Sequence, residues 1–152
     1  MLQRIQSVYL LLAALVNLIT LKTNVVVYVT PDQTAGELSA FSFIFNNQKL
    51  INALGGGVIL IVAALLALFT IFQYTNRAKQ SLLAIVLMVL NAVVLIAFYA
   101  YHAKAVQLLP PGSSSHFVYG FILPMISGIL AFMAYRGIKN DDALIKAADR
   151  IR

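Results

Sequence analysis

The stretch LGGGVILIVAALLALFTIFQY, residues 54–74, decides the fold. It runs for 21 residues without a charged side chain. As an α-helix it would rise roughly 31 Å, the depth of a bilayer hydrocarbon core of roughly 30 Å. A soluble chain of 152 residues has too little interior to hide this segment and three more like it. Those three cover approximately residues 5–21, extending to 27 if the helix continues past Lys22, then 81–101 and 117–135. Pro124 in the last removes one backbone amide, which kinks a spanning helix without preventing it from crossing. The expected fold is an all-α membrane protein, a four-transmembrane-helix bundle with a C-terminal amphipathic helix, forming a single membrane domain over residues 1–152.

Composition agrees. Apolar residues make up 61% of the chain and charged ones 11%, against a soluble norm of roughly 45–50% and about 25%. The net charge of +6 is not a nucleic-acid signal, because the basic residues gather at the ends of the apolar segments. With no cysteine, disulfides, thiolate metal sites and cysteine nucleophiles are excluded. The opening MLQR followed by VYLLLAALVNLIT has the outline of a signal peptide. The LKTNVV that follows offers no small-x-small cleavage pattern, so the first segment is read as a retained membrane helix.

Four spans place both termini on one side. With the N-terminus inside, the cytoplasmic face receives Arg4, Arg77, Lys79, Arg136, Lys139, Lys146, Arg150 and Arg152, and the outer face only Lys22, Lys49 and Lys104. That bias follows the positive-inside rule and predicts a bacterial inner (cytoplasmic) membrane protein with cytoplasmic N- and C-termini. Tyr9, Tyr74, Tyr99, Tyr101, Tyr119 and Tyr135 fall near the segment ends, where a phenol keeps its hydroxyl wet.

The short TNRAKQ, residues 75–80, predicts that the second and third helices are antiparallel neighbours. In the long outer loop, VVVYV and FSFIF flank the turn formers of TPDQTAGELSA. Two readings fit: a short extracytoplasmic β-hairpin, or an extended first helix followed by an interfacial apolar segment.

Few residues carry chemistry. The predicted hydrocarbon depth contains no Asp, Glu, Lys, Arg or His, which weighs against a proton pump or ion-coupled transporter. Asn17, Asn91 and Ser127 are its conspicuous polar groups, with Thr20 and Thr70 as lesser ones. An amide in lipid needs a partner, so Asn17 and Asn91 are expected to bond each other or backbone freed near Pro124, as interhelical contacts or as a ligand site. Gly55–Gly57 and Gly128 would allow helices to approach closely. His102 and His116 stand at consecutive outer helix ends and are weak metal candidates, since two ligands beside a flexible loop do not make a site. No catalytic residue and no cofactor is implied.

The end of the chain, RGIKNDDALIKAADRIR over 136–152, is charged yet helical in spacing. Asn140 suits a helix cap, followed by Asp141 and Asp142 in the first turn, for a cytoplasmic amphipathic tail over 140–152. Leu144, Ile145, Ala148 and Ile151 form an apolar edge beside Lys146, Arg150 and Arg152. Leu144, Lys146, Arg150, Ile151 and Arg152 would dock the tail on membrane lipids or on a membrane or cytoplasmic protein partner.

Taken together, MLQRIQSVYLLLAA at the start and KNDDALIKAADRIR at the finish resemble an uncharacterised family of small four-span inner-membrane proteins of Bacteroidetes-type bacteria, a domain of unknown function. Gln3, Arg4, Gln6 and Tyr9 match its opening signature, and Asp142, Leu144, Lys146, Asp149, Arg150 and Arg152 its closing one, with Asp142 standing where glutamate is commoner. The resemblance implies architecture and location but no reaction. The function expected from the residues is a noncatalytic integral membrane subunit or scaffold with a docking tail. The alternatives are a small-molecule or lipid-binding transporter-like protein built around Asn17 and Asn91, and, more weakly, a membrane enzyme using the outer histidines.

Overall fold

The computed structural model describes residues 3–150. Its four helices are α1 (Gln3–Thr20), α2 (Leu54–Phe72), α3 (Arg77–Leu108) and α4 (Tyr119–Arg150). Each packs on its neighbours in the chain, and α4 closes the ring against α1, giving a four-helix bundle. Three helices are long and apolar enough to cross a membrane: Leu54–Phe72, Arg77–Leu108 and Tyr119–Ile145, while Ile5–Thr20 is a shorter apolar helix. With 18 residues, α1 rises about 27 Å, slightly less than a typical hydrocarbon core.

The bundle is built inside out relative to a soluble one. Small residues line its centre, where Ala13, Ala14, Ala63, Ala67, Ala131 and Ala134 pack around Leu10 and Leu87. Large apolar side chains such as Leu65, Phe69, Ile96 and Ile122 point outward and are more than half exposed. Small interior residues let helix backbones approach closely, and lipid accepts the outward apolar ones.

At one end of the bundle sits a five-stranded antiparallel sheet in the order β4-β3-β2-β1-β5. Its strands are β1 (Asn24–Val29), β2 (Ala35–Ser39), β3 (Ser42–Phe45), β4 (Gln48–Asn52) and β5 (Ser114–Phe117). Both readings of the long loop are thereby corrected. Helix α1 stops at Thr20, so the extension to residue 27 does not form, because the β-branched run of Val25 to Val27 pairs in β1 instead. The hairpin is only the first part of a four-stranded meander that β5 completes from the far side of α3. Asn46 and Asn47, with φ of 49° and 59°, make the two-residue turn between β3 and β4. A register shift between Asn24 and Val26 turns both Val25 and Val26 into the core.

The face of the sheet toward the bundle buries Val25, Val26, Tyr28, Leu38 and Phe43 against Leu60, Val94, Phe98 and Ala105. Helix α3 reaches this cluster because it continues seven residues beyond Tyr101 to Leu108. Helix α4 departs from expectation at its other end. It is unbroken from Tyr119 to Arg150, so Asn140 caps nothing and the tail is not a separate helix. Ile138 is buried and Gln6 on α1 bonds Asp141, which holds this part of α4 to the bundle and carries the helix through.

Candidate functional site

The polar interior begins with the three residues singled out from the sequence. Asn17 and Ser127 are fully buried and Asn91 is 1% exposed. Ser127 Oγ on α4 donates to the Ala13 carbonyl on α1 at 3.3 Å, an interhelical contact. The direct pairing of Asn17 with Asn91 does not occur. Asn91 Nδ2 turns back to the Leu87 carbonyl of its own helix at 2.8 Å, leaving Oδ1 buried without a partner among the described residues. Neither polar atom of Asn17 has a partner there. A side chain that can satisfy itself on the preceding turn has little drive to cross the bundle.

Other polar groups were missed. Gln80 Nε2 donates to the Thr70 carbonyl at 3.3 Å, tying the start of α3 to the end of α2. Gln6 Nε2 donates to Asp141 Oδ2 at 2.5 Å, tying α1 to α4. The signal for the second was present, since Gln6 lies in the opening signature and Asp141 in the charged tail, but a separation of 135 residues hides such a pair. Every buried polar side chain among the described residues is uncharged.

At the sheet end, Tyr28 is fully buried and its hydroxyl lies 2.8 Å from His102 Nδ1. Burial pushes the Tyr28 phenol well above its ordinary pKa, so it stays protonated at any physiological pH. The His102 ring also packs on Phe117, with centroids 5.0 Å apart. His116 stands exposed in the edge strand β5, in register with Val27. The two histidines thus do different jobs: His102 anchors the sheet to α3, and His116 occupies an open edge. Among the described residues, no three His, Cys, Asp or Glu side chains converge on a point that would hold a metal.

At the opposite end, two hollows flank α4. One of about 250 Å³ lies between α1 and α4 beside Gln6, Tyr9 and Gly137. The other, about 180 Å³, lies between α3 and α4 beside Arg77, Ser81, Lys139 and Asp142. Deeper along the same α3/α4 seam is an apolar groove of about 330 Å³ lined by Asn91, Pro124 and Gly128 together with larger apolar side chains. Of the expected tail contacts, Leu144 is exposed on α4. The side chains of Lys146 and Arg150, and the whole of Ile151 and Arg152, lie outside the described residues.

The arrangement offers packing, a polar seam and exposed apolar surface, with no catalytic constellation among the described residues. A family model described as Domain of unknown function (DUF4293) matches residues 2–151. No curated protein matches the chain.

Proposed function

Because the chain belongs to the DUF4293 family, a domain of unknown function matched over residues 2–151, its role is read from its own geometry, and we propose that it is a noncatalytic four-span subunit or scaffold of the bacterial inner membrane. In this reading both termini are cytoplasmic, the sheet caps the bundle outside, and the end of α4 presents a docking surface inside. The observation that carries it is the shape of α4. At 32 residues it rises about 48 Å, well beyond a core of roughly 30 Å, and its last turns expose Leu144 (61%) and Ile145 (44%) next to a run rich in basic residues. An uncharged polar interior supports a structural role over ion coupling.

Copurification from native membranes tests the reading. The full-length chain should bring down a stoichiometric protein partner, and changing Lys146, Arg150 and Arg152 together to Gln should release it. Unchanged partner recovery from the triple variant would overturn the docking role. A second reading, lipid or small-molecule binding between helices, is favoured by the α3/α4 groove that reaches the half-satisfied Asn91.

A further inference from the structure

The smaller hollow and the apolar groove between α3 and α4 lie on one seam, and its chemistry changes with depth. At the charged end, Arg77 and Ser81 of α3 face Lys139 and Asp142 of α4. Arg77 occupies the first turn of α3, where no acidic residue complements the positive helix terminus. A cation at that position is repelled by the helix dipole, and a bound anion relieves the repulsion. The Asp142 carboxylate shares the hollow, so basic side chains outnumber acidic ones two to one and the site suits one monoanionic group better than a polyanion.

Above the headgroup level the seam becomes oily. Met88, Ala92 and Leu95 of α3 and Met125, Ile129 and Phe132 of α4 line the groove. From Ser81 to Asn91 is ten residues of helix, about 15 Å, or half of a core of roughly 30 Å. Asn91 thus sits about one leaflet deep from the cationic hollow, and the groove runs roughly one turn further, to Leu95. The Lys139 ammonium of the hollow lies 6.0 Å from the Tyr135 ring centroid, and about one turn nearer the groove along α4 the Arg136 guanidinium lies 6.0 Å from that of Phe132. Cations stacked on rings in this way mark the boundary between headgroups and acyl chains.

We propose that the α3/α4 seam holds one glycerophospholipid, its phosphate between Arg77 and Lys139 and an acyl chain in the groove running to Asn91 and Pro124. Charge selects the headgroup end and apolar lining the chain end, and a shape open along one side admits a lipid laterally from its own leaflet. The inference deepens the second functional reading and depends on the topology only for which leaflet supplies the lipid.

Native mass spectrometry of the full-length protein tests it, after exchange from detergent into phosphatidylglycerol–phosphatidylethanolamine bilayer discs. One phospholipid per chain should remain at activation energies that strip the others. Arg77→Gln with Lys139→Gln removes both charge-assisted contacts and should lower that occupancy at least about tenfold, the effect of losing even one. Gly128→Leu, which fills the groove, should lower it similarly, while Arg77→Lys with Lys139→Arg should retain it. Lys22→Gln, a cation at the other face, should leave it unchanged. Wild-type retention in either the charge-neutral or the groove-filled variant would overturn the proposal. So would displacement of the lipid by millimolar inorganic phosphate to the same extent in the wild type and in Gly128→Leu, which would reveal a plain anion site. Sidedness does not enter this measurement, so an inverted topology and an empty seam give distinguishable results.

Discussion

At the residue scale the instructive groups are the buried amides. Both were legible as polar residues in lipid, and the expectation that they pair rested on the cost of leaving an amide unsatisfied. Asn91 meets half of that requirement within its own helix, through the Leu87 carbonyl, and Asn17 meets none of it among the described residues. The two should therefore behave differently on substitution. Asn91→Leu removes one bond and one unpartnered acceptor, and should change stability by no more than about 0.6 kcal/mol. Asn17→Leu removes two unpartnered atoms and should stabilise the fold, by about 1 kcal/mol. Ser127→Ala loses its bond to the Ala13 carbonyl and should cost about 0.6 kcal/mol. A double-mutant cycle on the two asparagines, read by reversible unfolding in bicelles, should show additive effects. Coupling above about 0.5 kcal/mol would mean that the amides bond each other after all.

At the element scale, the glycines show where helices meet other elements. The Gly55–Gly57 run suggested helix-on-helix approach, and a Cβ on Gly55 or Gly56 would indeed lie 2.8 Å from the Tyr101 hydroxyl or 2.9 Å from the Phe98 ring of α3, whereas one on Gly57 would lie 2.2 Å from Cε1 of Phe41, a ring in the segment between β2 and β3. At Gly120 a Cβ would come within 2.3 Å of the Asn24 carbonyl oxygen, so α4 presses directly on the backbone that begins β1. Gly128 is relaxed, with its nearest contact, Asn91 Cβ, at 3.8 Å. Thermal unfolding in detergent should therefore rank three alanine variants. Gly120→Ala should be worst, losing on the order of 3 kcal/mol, because backbone must move; Gly57→Ala should lose about 1–2 kcal/mol as the Phe41 ring shifts. Gly128→Ala should gain up to about 1 kcal/mol from helix propensity. A destabilised Gly128→Ala would overturn the ranking. The same elements explain what was legible. Apolar length revealed all four helices, since lipid demands it. The fifth strand was hidden because Ser114, Ser115 and His116 carry no strand preference and pair with β1 from about 90 residues away in the chain. The length of α3 was hidden too, because a hydrocarbon-length rule ends a span at Tyr101, whereas packing of Phe98 and Ala105 under the sheet continues it.

At the scale of the whole molecule, the two long helices overhang in opposite directions. The last turns of α3 carry His102 and Ala105 into the sheet, and the last turns of α4 run past the Gln6–Asp141 tie at the other end. The bundle thus has one folded cap and one helical prong, and its orientation decides which partner each can meet. Among the described residues, seven of the basic ones belong to segments at the prong end, in the first turn of α3, the end of α4 and the start of α1, and Arg152 follows α4 in the sequence. Translocating that charge is far less favourable than translocating Lys22, Lys49 and Lys104, which is the ground on which the proposed topology puts the prong in the cytoplasm. The absence of native cysteine makes the test clean. Thr75, Ala147 and Ser114 are all exposed, whereas Gln80, in the same short loop region, is buried on the Thr70 carbonyl and would label poorly from either side. Single cysteines at Thr75 and Ala147 should react with an impermeant maleimide in inside-out vesicles and be protected in right-side-out ones. A cysteine at Ser114, on the sheet edge, should show the reverse. Protection of Ser114 in right-side-out vesicles, together with labelling of Thr75, would turn the molecule over and place the sheet, not the α4 prong, on the cytoplasmic side.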